Sequence, residues 1–141
     1  MPEWDILSKD DIKRIQGSYA KFAHLHQETG DYLYKHLFEC CPDVVNIFKV
    51  DMKEQSRTLM RMVKTVVEGL NNVDVIMPAI QHMGDRHHDI GITSDQYKYF
   101  KESLLFAIGK VLGNDFTPEI KESWSKFYDV LEGLMKGNKY N

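Results

Sequence analysis

The sequence has little of what marks a secreted, membrane-spanning or repetitive protein. Its 141 residues include only two cysteines and four prolines, and the nine glycines are scattered. No stretch approaches the 18 apolar residues of a transmembrane helix. The first residues carry neither the basic nor the apolar segment of a secretory signal. We therefore expect a cytoplasmic protein that does not bind membranes.

The sequence also lacks an excess of positive charge. Eighteen basic and 21 acidic residues give a net charge of −3, which provides no electrostatic footprint for nucleic acid or for an anionic membrane surface. A hydrophobic share of 43% and a charged share of 28% are typical of an ordinary folded domain. The length predicts one domain over 1–141, with 1–6 as an N-terminal extension and 138–141 frayed.

Strand patterns are missing as well, and helical periodicity is present almost throughout. Ser8 followed by Asp11 indicates the capped start of a first helix. Pro42 ends a second helix and opens a brief helical turn, and Pro118 fits the first turn of the last helix. We predict an all-α domain of six to eight helices, with apolar stripes over 12–22, 33–41, 53–70, 74–90, 94–112 and 120–134. Within the fourth stripe, Pro78 is expected in about the first turn.

Common catalytic motifs are absent: the chain has no HExxH, GxSxG, P-loop or CxxC sequence. The paired carboxylates, Asp10 and Asp11 among them, fall at helix starts and are interpreted as solvated. Cys40 and Cys41 are neighbours that cannot form an unstrained disulfide, so we interpret them as reduced, one partly buried. The alternative is a redox-active or intermolecular thiol.

Six histidines are the one unusual count. His87 extends the apolar stripe of the fourth helix, so its imidazole points inward, whereas His88 lies about 100° around the helix. An inward histidine is more often a core residue than a metal ligand. Four others have no partners at metal-ligand spacing and are interpreted as surface or cap residues: His24, His26, His36 and His82.

Two more polar residues lie on inward faces of predicted helices. Gln55 precedes Leu59 by one helical turn, and Tyr34 lies on the apolar face of the second helix. Each alone could be structural. Together with His87 they indicate an apolar cavity with a few polar groups, as in ligand pockets.

Several segments, in order, resemble the globin family over roughly residues 7–137. Pro42 with Phe48 resembles the globin proline and haem-packing phenylalanine, and 55–60 resembles the distal helix. Residues 77–80 and 84–92 resemble the proximal helix and its following corner. Residues 112–113, 116–119 and Trp124 match the start of the last helix. The likeness is strongest to microbial single-domain globins and the globin part of flavohaemoglobins, with some to neuroglobin.

The resemblance implies a role for each site residue around haem b. It makes His87 the iron ligand, and Tyr34 and Gln55 the pair that hydrogen-bonds O₂ at a pentacoordinate iron. It places Phe48 and Leu59 against the porphyrin. Further expected haem contacts are Met83, Arg86, Ile92 and Tyr97, and Arg86 or Arg57 is a candidate partner for a propionate.

The implied function is reversible binding of O₂, and also of CO and NO, for oxygen storage or transport. One alternative is an NO dioxygenase served by a separate reductase, since the chain leaves no room for its own. In flavohaemoglobins a Tyr and a Glu buttress the proximal histidine. Tyr97 supplies the first, but the second falls near Lys139, which weakens that alternative. A gas or redox sensor and a haem-free globin-fold protein remain as further hypotheses.

Overall fold

The computed structural model describes residues 6–48 and 51–137. Within them the chain forms six α-helices and no strand, which confirms the all-α prediction. Short 3₁₀ turns at Ala23–Leu25, Pro42–Ile47 and Gly113–Asp115 join some of the helices. The helices are α1 (Lys9–Phe22), α2 (His26–Cys40), α3 (Met52–Glu68), α4 (Val73–Asp89), α5 (Ser94–Leu112) and α6 (Pro118–Lys136).

Local capping chemistry accounts for the helix ends that the sequence predicts best. Ser8 and Thr93 each form a reciprocal capping box, in which the side chain accepts from a backbone N–H three residues on. Thr117 caps α6, and Pro118 occupies its first position, where no N–H is needed. Gly113 ends α5 with φ +57°, a conformation that favours glycine.

Two helix boundaries and one proline differ from the prediction. The second helix is longer than expected because it begins at His26, and α3 ends at Glu68 instead of residue 70. Pro78 is the sixth residue of α4 and lies inside the helix, not in its first turn. Since proline has no N–H, the carbonyl of Asp74 loses its usual helical partner there.

The interpretation of Asp11 as a solvated residue was wrong. Asp11 is only 3% exposed, and its carboxylate accepts hydrogen bonds from the Ser123 hydroxyl (2.7 Å) and the Ser8 backbone N–H (3.0 Å). Arg14 and Lys126 lie 3.6 and 3.7 Å away. Burial raises the pKa of Asp11, but these bonds and the Lys126 charge outweigh it, and the pKa is lowered. A buried carboxylate is tolerated because it is fully paired.

The helices pack so that α3 and α4 stand apart. The α2 helix packs on α5 and α3, whereas α4 packs on α6, and α3 and α4 make little contact with each other. The core is aromatic around Trp124, Phe22 and Phe127. The candidate site residues Gln55 and Leu59 lie on α3, Met83, Arg86 and His87 lie on α4, and Tyr34 lies on α2.

Two close backbone approaches hold this arrangement. A Cβ added at Gly30 of α2 would lie 2.7 Å from the Ser56 Cβ on α3. A Cβ added at Gly84 of α4 would lie 2.1 Å from the Met135 carbonyl oxygen on α6. Real Cβ atoms do not come so close, so both helix pairs depend on glycine.

The cysteines are as interpreted: Cys40 is exposed, Cys41 is half-buried, and both are free thiols. A search of the described helices found none long and apolar enough to cross a membrane.

Candidate functional site

Tyr34 and Gln55 come together between α2 and α3. The Gln55 Nε2 atom donates to the Tyr34 hydroxyl over 3.1 Å. Because that oxygen accepts from the amide, the hydroxyl proton remains for another acceptor. The amide has a second N–H of its own. The pair can therefore present two donors to one small polar ligand.

The Tyr34 hydroxyl stays protonated in its buried position. The side chain is 4% exposed, and burial raises its pKa to about 12, although the Gln55 bond acts in the opposite direction. At neutral pH, without a metal ion beside it, Tyr34 is a hydrogen-bond donor and not a phenolate.

An aromatic group surrounds the tyrosine. Phe48 meets Tyr34 edge to face with ring centroids 5.3 Å apart, and Phe38 contacts both rings. Phe100 of α5 lies 6.4 Å from Phe48. Phe48 is half-buried, so part of its ring remains open to a flat apolar ligand.

His87 ends the inward stripe of α4, as the sequence predicted. Its Nδ1 lies 2.6 Å from the carbonyl oxygen of Met83. A carbonyl can only accept, so Nδ1 carries the proton and Nε2 of the neutral ring holds the lone pair. Burial lowers the pKa of His87, and the Arg86 charge lowers it further, against the effect of the Met83 bond. The neutral ring is thus ready to coordinate a metal ion through Nε2.

The other predicted haem contacts lie on α3, on α4 and just after α4. Leu59 on α3 and Met83 on α4 are half-buried and pack against the core. Ile92 is buried just after α4, and its N–H donates to the His87 carbonyl over 3.0 Å. Arg86 is exposed beside His87.

Tyr97 begins the inward face of α5 and is 2% exposed. Its carbonyl accepts from the Tyr128 hydroxyl over 2.7 Å. The Lys136 ammonium lies 5.1 Å from the centre of its ring. The position near Lys139, where the resemblance looks for a glutamate, lies outside the described residues.

Arg57 is directed toward α2. Its guanidinium donates to the Gln27 side chain over 3.1 Å, and Glu54 lies 4.0 Å away.

Two histidines have more specific partners than the sequence indicated. The His36 Nδ1 atom lies 2.9 Å from the Ser103 hydroxyl, and its ring stacks on Phe106 at 4.4 Å. The His26 ring bonds to the Tyr19 hydroxyl. Both are half-buried, and His26 caps the 3₁₀ turn Ala23–Leu25, so the interpretation as surface or cap residues holds but omits these partners. Ser103 is 67 residues from His36 in the sequence, and Tyr19 is 7 residues from His26. A partner as remote as Ser103 leaves no pattern in the sequence near the histidine.

Comparison with known protein families identifies the family of this chain. The globin family model matches residues 31–135, which include most of α2, all of α3 to α5 and nearly all of α6. The chain belongs to the globin family. As a globin it is a haem protein.

The residues present fit haem. His87 offers the lone pair of Nε2 with its proton fixed on Nδ1, as an iron ligand requires. Phe48, Leu59 and Met83 are half-buried apolar side chains that pack against the core. The pair of Tyr34 and Gln55 supplies uncharged hydrogen-bond donors.

Relatives with the same globin region are flavohemoproteins. The chain is 31% identical to one from Oceanobacillus iheyensis over 92% of its own length and 32% of the relative. It is 31% identical to one from Bacillus subtilis over 77% of its own length and 28% of the relative. It is 30% identical to one from Rhodopirellula baltica over 95% of its own length and 34% of the relative. The chain thus spans about a third of the length of these curated relatives.

Proposed function

We propose that this globin reversibly binds O₂, and also CO and NO, at a pentacoordinate b-type haem, and that it stores or transports oxygen. The observation that supports this best is the Tyr34–Gln55 hydrogen bond, which brings two uncharged donors together, and the neutral His87 ring offers Nε2 as a ligand. The free thiols of Cys40 and Cys41 fit a reducing compartment, so we propose a cytoplasmic location.

Each residue has a distinct task in this proposal. When bound, the haem supplies an iron with one open position for a diatomic ligand. His87 holds the iron through Nε2, and the Met83 carbonyl fixes the plane of its ring. Gln55 is a poor iron ligand, so it leaves the open position free. In this proposal the apolar side chains of Leu59 and Phe48 exclude water around the haem, and Arg86 binds a propionate.

The distal donors govern how long O₂ stays bound. A hydrogen bond to a charged or strongly polarised group contributes about 1.5–3 kcal/mol. Each such bond corresponds to roughly a tenfold to hundredfold change in affinity. Tyr34 and Gln55 together therefore support tight binding with slow release.

Absorption spectra of the ferric, ferrous and oxygenated protein test the proposal directly. We expect a ferrous–oxy spectrum that reverses when O₂ is removed. His87→Ala should lose most of its haem affinity, whereas His88→Ala, at the exposed neighbouring position, should retain it. Haem retention by His87→Ala equal to that of the unaltered chain would refute the assignment of the iron ligand.

The O₂ dissociation rate tests the distal pair. Tyr34→Phe and Gln55→Leu should each speed release at least tenfold, because each removes one donor. Tyr32→Phe is the matched control, since Tyr32 is on the same helix and is exposed. If all three variants release O₂ as slowly as the unaltered chain, the proposed distal pocket is wrong.

NO dioxygenase activity is the second candidate, because the relatives that share this globin region are named flavohemoproteins. The reaction joins O₂ and NO to one electron and yields nitrate. A separate flavin reductase would supply that electron. Sustained NO consumption with such a reductase would favour this function over storage. Consumption that stops after one equivalent of NO per haem would exclude it.

A further inference from the structure

Three consecutive residues of α3 each hydrogen-bond to a different side chain of α2. They form a ladder across the two helices, with bond lengths of 3.0–3.1 Å. The three rungs are Gln55 to Tyr34, Ser56 to Asp31 and Arg57 to Gln27. The proposed O₂-binding pair is thus one rung of a larger connection.

The middle rung is the firmest. Ser56 is 1% exposed, and its hydroxyl donates to Asp31 Oδ1 over 3.0 Å. Gly30 lies directly against Ser56, so the two backbones meet at this point. Asp31 is itself held, because the Gln27 side chain donates to the same oxygen over 3.0 Å. Ser56 therefore fixes both the distance and the register of the two helices.

Gln55 needs such a support. It is the fourth residue of α3, in the turn where a helix frays most easily, and it is only half-buried. A glutamine side chain has three rotatable bonds, and holding it in one rotamer costs conformational entropy. An anchor at the adjacent position limits the backbone motion that would carry Gln55 away from Tyr34.

We propose that Ser56 and Asp31 are positioning residues for ligand binding, which act by holding Gln55 against Tyr34. This inference rests on the proposed function, because it assigns a role to residues that lie beside the distal pair. Because of the ladder, the distance and orientation between Tyr34 and Gln55 depend on how α2 packs against α3.

The decisive measurement is the O₂ dissociation rate of Ser56→Ala in two backgrounds. In the unaltered chain we expect release to become about threefold faster. A change of this size corresponds to the free energy of one ordinary hydrogen bond. In a Gln55→Leu background the same substitution should leave the rate unchanged, since there is no amide left to position. The thermal midpoint should fall by a similar amount in both backgrounds, which separates positioning from simple destabilisation.

The C–O stretching band of the CO complex gives a second readout. Ser56→Ala should broaden or shift this band, as the distal donors occupy more than one arrangement. Asp31→Asn keeps the accepting oxygen and should behave like the unaltered chain, whereas Asp31→Ala should match Ser56→Ala. Asp31 is exposed, so these two variants test the proposal even where Ser56→Ala folds poorly.

Thr58→Ala is the matched control on the same helix, because the Thr58 hydroxyl bonds to the Glu54 carbonyl and not to α2. It should change neither the rate nor the band. Faster release by Ser56→Ala in both backgrounds, or in neither, would overturn the positioning role. A Gln55→Leu variant with an unchanged release rate would overturn the distal pair of the proposed function together with it.

Discussion

The Tyr34 hydroxyl shows how one buried group acquires a single chemical role. It accepts from Gln55 and keeps its own proton for a ligand, and burial raises its pKa to about 12. At the scale of the residue, the same desolvation that makes a phenolate costly makes the neutral hydroxyl a dependable donor.

The raised pKa of Tyr34 predicts that loss of its proton does not change the O₂ dissociation rate between pH 6 and 10. An acid whose pKa is raised stays protonated until the pH approaches the raised value, so the donor should persist throughout the range from pH 6 to 10. Stopped-flow measurement of the O₂ dissociation rate should show no acceleration from loss of this proton in that range. A rise in rate near pH 8–9 that disappears in Tyr34→Phe would contradict the assigned protonation state.

At the scale of the element, α4 is held on α6 by a contact that involves no side chain of α4. Gly84 lies against the backbone carbonyl of Met135, and His87 follows one turn later on the same helix. A shift of α4 away from α6 would therefore carry His87 with it. The position of His87, the iron ligand that we propose, therefore depends on a glycine that has no side chain to contribute.

Gly84→Ala should destabilise the protein although alanine is the better helix former. The new methyl group would meet backbone atoms that cannot move aside, and overpacking of this kind costs about 1–3 kcal/mol. Gly17→Ala is the matched control, because a Cβ at Gly17 of α1 meets nothing within 4 Å. We expect this control to gain about 0.5–1 kcal/mol. Denaturant unfolding of both variants measures the difference, and equal gains would show that α4 does not need the close approach.

At the scale of the whole molecule, local signals in the sequence predicted the helices and the phase of the site residues. The stripe from residue 94 and the placement of Pro118 in the first turn of α6 were correct, because the capping interactions of Thr93 and Thr117 that start these helices lie within three residues. Helical phase was enough to place Tyr34 and Gln55 on facing surfaces. Their pairing is a consequence of that phase once α2 and α3 pack.

What the sequence could not show depends on residues far apart in the chain. The Gly84 contact is with a backbone carbonyl 51 residues away, and a carbonyl has no side-chain pattern to recognise. Asp11 looked like a solvated first-turn carboxylate, but Ser123 and Lys126 approach it from the last helix. Its burial is decided by the packing of α1 on α6, and not by its neighbours in sequence.

The contacts of Asp11 on α1 with Ser123 and Lys126 on α6 predict how the stability of the fold responds to acid. The lowered pKa of Asp11 means that the folded state holds the carboxylate charged at pH values where the unfolded chain binds a proton. The resulting stability is fully present above the unfolded pKa of about 3.9 and is lost as the pH falls through the lower folded value. Asp11→Asn should therefore cost about 1–3 kcal/mol at pH 7 and progressively less below pH 4.

Asp10→Asn provides the comparison, since Asp10 is an exposed neighbour in the same helical turn. It should change stability by a few tenths of a kcal/mol through the helix dipole alone. Urea unfolding of both variants from pH 7 to pH 3 measures the two costs. A cost for Asp11→Asn that stays constant across this range would mean that its charge does not hold the first and last helices together. The hydrogen bonds of Asp11 with Ser8 and Ser123 would then account for its contribution to stability.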